Sequence, residues 1–198
     1  FKNGDYFVID SSAAAAVALS DVCGEDTVLD LCAAPGGKSF CAAILSGNKN
    51  AVTSLDLHPH RVELIKKGAH KLGLNINAFV NDARVYNQDL GCFSLVICDV
   101  PCSGLGVIKR KPEIKYKTKE EISSLPEIQL EILSTAVKYL EKDGRILYST
   151  CTLNTDENEN TVSAFLQQNK DFYLEKQQYI LPSDTGGDGF FAAVIKRK

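Results

Sequence analysis

The sequence predicts an α/β protein with a mainly parallel, doubly wound sheet and an antiparallel edge strand. Three observations predict it. Short apolar runs alternate with helix-spaced patterns along the whole chain. Residues 93–98 are continuously apolar, as a parallel strand buried on both faces reads. The last two strand-like runs have no helical stretch between them, which suits an antiparallel pair.

The elements follow in order. Asp10 or Ser11 caps a helix over residues 13–19, within a lead-in segment spanning residues 1–26. Residues 27–31 form the first strand. A turn of small residues follows, Cys32-Ala33-Ala34-Pro35-Gly36-Gly37, and Lys38-Ser39 opens a helix that runs to about Leu45 and stops at Gly47. Residues 51–56 are the second strand. Pro59 suits the first turn of the next helix, Val62, Ile65, Ala69 and Leu72 keep its spacing, and Gly73 closes it. Residues 76–80 and 93–98 are the third and fourth strands, and residues 100–123 read as a loop. Leu125, Ile128, Ile132, Leu133, Ala136, Val137 and Leu140 then repeat at helical spacing up to Asp143-Gly144. Residues 145–149 are the fifth strand. Thr155 caps a helix with acids in its first turn and Val162, Phe165 and Leu166 on its buried face. Residues 172–174 and 190–195 close the chain as strands.

Length and composition bound the function. With 198 residues the chain is one domain with a good core. A net charge of -3 argues against a uniformly basic nucleic-acid coat but leaves room for a local basic patch. No apolar run approaches the roughly 20 residues of a membrane span. Seven cysteines, an odd number with no C-x-x-C pair, argue against a disulfide framework and a zinc site. They fit a reduced, cytoplasmic protein in which most thiols are small core residues. His58, His60 and His70 lie on or beside one helix without ligand-type partners, so no metal is expected. The chain contains no Met, which predicts that something precedes it in a longer protein.

In such a sheet the working residues collect at the carboxyl ends of the strands. Asp30, Asp56 and Asp99 end strands here, and Asp82 lies just past the third. The small-residue turn admits two readings. Gly37-Lys38-Ser39 is the tail of a phosphate loop, but Cys32 stands where that motif needs glycine and Pro35 lacks an N–H. The other reading is the first loop of an S-adenosylmethionine (AdoMet) site. Asp56 then follows by roughly the 20 residues expected of a ribose-binding acid, and Asp82 is placed to meet the adenine amine.

The chemistry lies in Asp99-Val100-Pro101-Cys102-Ser103-Gly104 and Ser149-Thr150-Cys151-Thr152. Carbon 5 of cytosine is a poor nucleophile. A thiolate added at carbon 6 turns the ring into an enamine whose carbon 5 can take a methyl group. The step also needs an acid at ring nitrogen 3, the role given to Asp99, and a base that later removes the carbon 5 proton. Spacing alone does not rank the two cysteines.

These segments, with Tyr148-Ser149-Thr150-Cys151-Thr152 and Asp188-Gly189-Phe190-Phe191, resemble the catalytic domain of the RNA (cytosine-5) methyltransferases of the Sun/Fmu/RsmB and NOP2/NSUN family. The resemblance spans nearly the whole chain. Residues 104–115 resemble the bacterial branch that modifies small-subunit ribosomal RNA. It implies a Rossmann-like AdoMet-dependent fold over residues 1–198, preceded by an N-terminal RNA-binding domain. It implies that Cys151 is the nucleophile and that Cys102 assists product release. AdoMet is expected along Cys32, Ala33, Ala34, Pro35, Gly36, Gly37 and Lys38, and at Asp56, Arg61, Asp82 and Asp99. His58, where relatives often carry a second acid, and Val100, where Ala is common, are mild departures.

Lys109, Arg110, Lys111, Lys115, Lys117 and Lys119 follow Cys102 closely and could hold RNA phosphates beside the reacting base. A flipped or unpaired cytidine is implied. The expected protein is a monomer acting on RNA. Two other classes stay in view: a P-loop NTPase, since residues 95–99 also read as a Walker B strand, and a non-catalytic AdoMet- and RNA-binding module.

Overall fold

The computed structural model describes residues 4–198, so the first three residues of the lead-in segment lie outside the described residues. Asp10 caps α1 (Ser11–Leu19), accepting from the Ser12 backbone N–H. There follow β1 (Val28–Asp30), α2 (Gly37–Leu45), β2 (Val52–Asp56), α3 (Pro59–Leu72), β3 (Ile76–Val80) and β4 (Phe93–Asp99). After them come α4 (Lys119–Ser123), α5 (Leu125–Ala136), β5 (Leu140–Thr150), α6 (Glu159–Gln168), β6 (Phe172–Ile180) and β7 (Phe190–Arg197).

The sheet has seven strands in the order β3-β2-β1-β4-β5-β7-β6. β1 pairs in parallel with both β2 and β4, and β5 in parallel with β4. β7 runs antiparallel to its neighbours β5 and β6, and β6 is the edge. Side chains of β4 alternate between two cores. Leu95 and Ile97 face α1 and α2, and Val96 and Cys98 face α5 and α6. All four are fully buried, which is why the strand reads as an unbroken apolar run. Each large aliphatic side chain so buried contributes about 1.5–3 kcal/mol. A third cluster packs α3, through Val62, Ile65 and Ala69, against Phe40 and Ala78.

Four boundaries differ from the sequence reading. The helical repeat expected to reach Leu140 stops at Ala136, and Val137–Tyr139 is a single 3-10 turn. Leu140 instead begins β5, facing Phe93 across the ladder. Its apolar character serves burial in either conformation, so spacing could not separate them. The stretch read as loop contains α4, started by a capping box in which Thr118 and Glu121 satisfy each other's backbone N–H groups. Asn154, not Thr155, provides the cap near residue 155, and it caps a 3-10 turn ahead of α6. β6 extends to Ile180 because β7 pairs with it along its length, a tertiary contact that leaves no apolar run in the sequence.

Candidate active site

Winding reverses between β1 and β4, and α/β sheets open to ligands at such a switch point. A cleft of about 460 Å³ lies at the carboxyl ends of these strands. Cys32, Ala34, Asp56, Arg61, Asp82, Asp99, Cys102 and Cys151 all line it. Ala33, Pro35, Gly36, Gly37 and Lys38 do not.

The first loop is a tight local structure. The Ala33 N–H donates to Leu55 O (2.8 Å) and the Gly36 N–H to Ala33 O (2.7 Å). Gly36 holds φ at +112°, and a Cβ there would lie 2.4 Å from the Phe40 ring, so only glycine fits. The Ala34–Pro35 peptide bond is cis. Beneath the loop, Asp30 is fully buried. It accepts from Ser39 Oγ (2.7 Å), while its second oxygen has no partner. Burial pushes this carboxyl up to about 7.

Asp56 is buried at the cleft wall, accepting from the His58 N–H (3.0 Å) with Arg61 at 3.5 Å. Arg61 also donates to Ala34 O (2.9 Å), tying this acid to the first loop. Asp82 carries a fork from Arg84, with Nε at 3.1 Å and Nη2 at 2.8 Å, which holds its carboxyl below the ordinary carboxylate range. Arg84 also lines the cleft, and sequence reasoning missed it.

Lys38 is placed differently from the expectation. Its ammonium is turned inward, 2.7 Å from Asp99 and over the Phe190 ring. This engages the lysine that a phosphate loop would need for its ligand. Asp99 also accepts from Ser149 Oγ (2.9 Å).

Cys102 and Cys151 are free thiols whose sulfurs stand 3.1 Å apart. The Cys151 N–H also points at the Cys102 sulfur, at 3.3 Å. The hydrogen bond from Cys102, helped by the Lys38 charge, lowers the Cys151 thiol from its usual range. The same contact and burial push Cys102 up. The two opposite shifts favour negative charge on Cys151 over Cys102. Of the other thiols only Cys98 is buried; Cys23 and Cys92 are exposed, in irregular segments ahead of β1 and β4, and are not the core residues expected.

Both cysteine segments rest on buried polar groups that the motifs did not reveal. Glu157 accepts from the Ser103 N–H and from Gln129, and Asn158 bridges Thr150 and Thr152. Backbone bonds stitch in a third segment. The Gly106 N–H donates to Cys151 O (3.0 Å), and the Gly189 N–H donates to Gly106 O (2.9 Å). A Cβ on Gly106 would lie 2.0 Å from Gly189 O, so the seam closes only on glycine.

Lys109, Arg110, Lys111 and Lys115 are exposed and none lines the cleft. Arg110 forks onto the buried Asp188, and Lys117 donates to Ser103 O (2.8 Å). These two anchor the basic segment. Arg110, expected to hold RNA phosphate, is thus paired with the Asp188 of the last motif. Among the described residues no group of His, Cys, Asp and Glu is arranged to hold a metal ion, and no helix is long and apolar enough to cross a membrane.

Residues 17–196 match the family model described as 16S rRNA methyltransferase RsmB/F. The probable ribosomal RNA small subunit methyltransferase B of Bacillus subtilis is 42% identical over 219 residues, covering 100% of this chain and 49% of the relative. The ribosomal RNA small subunit methyltransferase B of Proteus mirabilis is 35% identical over 201 residues, covering 100% and 47%. Among solved structures, NSun6 from Pyrococcus horikoshii, crystallised with SFG, superposes with a TM-score of 0.90 at 26% identity, over 100% of this chain and 54% of that one. The chain thus spans about half the length of the curated relatives it matches. By sequence along its length and by its fold, the chain belongs to the 16S rRNA methyltransferase RsmB/F family.

Proposed function

We propose that this domain transfers a methyl group from AdoMet to carbon 5 of a cytidine in small-subunit ribosomal RNA, through a covalent bond from Cys151 to carbon 6. The observation that carries it is the pair of thiols 3.1 Å apart at the cleft, with a salt-bridged Asp99 beside them. Family membership supports the reaction class.

The residues present fit AdoMet. Asp56 offers a buried carboxylate to the ribose hydroxyls, Asp82 an acceptor to the adenine amine, and Cys32 and Ala34 a wall of small residues. When bound, the cofactor supplies an electrophilic methyl group. The Cys151 thiolate attacks carbon 6, and the electron pair of the carbon 5–carbon 6 double bond moves into the ring, leaving carbon 5 nucleophilic. Lys38 and Asp99 deliver a proton to ring nitrogen 3 and offset the charge developing there. On release a water molecule takes the carbon 5 proton, the C–H electron pair re-forms the carbon 5–carbon 6 double bond, the Cys151 sulfur departs and nitrogen 3 returns its proton. Cys102, which keeps its proton, stands ready to donate to that sulfur. Lys109, Lys111 and Lys115 would hold phosphates of the RNA.

The test is trapping with RNA containing 5-fluorocytidine, whose carbon 5 has no proton to lose. A covalent complex on a denaturing gel is expected with the native protein and with Cys102→Ala, and none with Cys151→Ala. A complex that survives Cys151→Ala overturns the assignment. Tight binding of ATP with Mg²⁺ and none of AdoMet would favour an NTPase, and RNA binding without methyl incorporation a non-catalytic module. Bisulfite sequencing of ribosomal RNA from cells lacking the gene names the nucleotide.

A further inference from the structure

Both cysteine segments are fastened to one short stretch, the turn that leads into α6. Glu157 in that turn is fully buried. One of its carboxylate oxygens accepts from the Ser103 N–H (2.7 Å) and from Gln129 Nε2 (3.1 Å). The other accepts from Asn154 Nδ2 (3.0 Å). Gln129 Nε2 also donates to Pro101 O (3.0 Å). The carboxylate therefore holds the residues on both sides of Cys102, one directly and one through Gln129. The next residue does the same for Cys151. Thr150 Oγ1 donates to Asn158 Oδ1 (2.6 Å), and Asn158 Nδ2 donates to Thr152 O (3.1 Å). Ser103 and Thr152 share a hydroxyl contact at 2.8 Å that laces the two segments together.

We propose that Glu157 is a positioning residue for the covalent step: its carboxylate holds the Cys102 segment in register with the Cys151 segment and so sets the separation of the two sulfurs. This rests on the covalent reading above. A buried carboxylate with no salt-bridge partner in contact is costly unless hydrogen bonds satisfy it, and here three N–H donors do so. All three are donors, so an amide at 157 must turn its own NH₂ against at least one of them. An anchor serving stability alone has no need to bracket a cysteine. This one grips the residues flanking Cys102, while its neighbour grips those flanking Cys151. The 3.1 Å sulfur contact is the quantity that the bracket controls. The ionisable and charged groups facing Cys151 are Cys102, Asp99, Lys38 and Arg110. Glu157→Gln changes none of them.

The experiment is alkylation of Cys151 by iodoacetamide as a function of pH, read by peptide mass spectrometry so that other thiols do not intrude. It needs neither RNA nor cofactor. In Glu157→Gln the midpoint is expected to rise by about one pH unit as Cys102 shifts away. Formation of the 5-fluorocytidine adduct at neutral pH is expected to slow about tenfold, with AdoMet affinity unchanged. If that variant does not fold, Gln129→Ala and Asn154→Ala, which each loosen one side of the bracket, are expected to move the midpoint the same way. An unchanged midpoint in a folded variant overturns the proposal. So does a raised midpoint with adduct formation at the native rate. If the native protein forms no adduct, the covalent reading fails, and the alkylation midpoint still reports whether Glu157 sets the thiol spacing.

Discussion

The two walls of the cleft are built in opposite ways. On the cofactor side most of the bonds are local: Asp56 is held by the N–H of residue 58, Asp82 by residue 84, and Gly36 closes on Ala33, while Ala33 to Leu55 and Arg61 to Ala34 reach further. On the thiol side they join distant segments, with Ser103 and Glu157 54 residues apart and Cys102 and Cys151 49 apart. The first wall needs its own turns and the packing of β1, β2 and α3, which are near one another in the chain. The second exists only after β4, β5, α5 and α6 have assembled. Damage to the first wall should therefore weaken binding alone, and damage to the second should change chemistry while leaving binding intact.

The sharpest break of that contrast is Cys151→Ala. It should lower methyl transfer by about 10⁴-fold or more, with AdoMet affinity measured by calorimetry unchanged. A comparable loss of cofactor binding would show that the walls are not independent. Asp56→Ala is the converse. Removing a charge-assisted hydrogen bond worth about 1.5–3 kcal/mol should weaken AdoMet roughly 10- to 100-fold, leaving the pH profile of Cys151 alkylation in place. The pH dependence of transfer at saturating substrate comes next. The thiolate is the reactive form, so the rate should rise with pH through a midpoint below the ordinary thiol range. Cys102→Ala, which removes the hydrogen bond that favours that thiolate, should move this limb to higher pH. A limb that stays put would assign the lowered value to Lys38 alone.

The smallest effect is thermodynamic. Asp30 has a raised value in the folded state, so its contribution is fully present below the ordinary 3.8 and is lost as pH rises through about 7. Asp30→Asn keeps the acceptor for Ser39 and removes the buried charge. The variant should melt near the native temperature at about pH 4 and higher by about 2–4 °C at pH 8, for a gain of about 1 kcal/mol. A melting difference independent of pH would mean that Asp30 does not ionise in the folded protein.

The same contrast explains what could be read from the chain in advance. The strand–turn–helix around Cys32–Lys38, Asp56 at its offset and Asp82 after β3 all leave local signals, and Cys32, Ala34, Asp56 and Asp82 line the cleft. The apolar run of β4 showed that both its faces are covered. The non-local parts left no such mark. Glu157 looks like any first-turn acid until Ser103 and Gln129 arrive beside it. Lys38 reads as a ligand lysine until Asp99 is folded against it. Leu140 satisfies a helical repeat and a strand alike, and only its pairing with Phe93 decides. The two thiols meet through a 3.1 Å contact between residues 49 positions apart, which no spacing rule contains.

The seam at Gly106 has a bearing on how a target would be chosen. Only three positions ahead of Lys109, one of its backbone bonds ties the start of the basic segment to the Cys151 peptide and the other ties it to Gly189. A polyanion gripped by Lys109 and Lys111 would pass the sulfur at a constant offset from the grip. On the reading proposed above, such a frame would act as a caliper, choosing a nucleotide by its distance along the strand from an anchored phosphate.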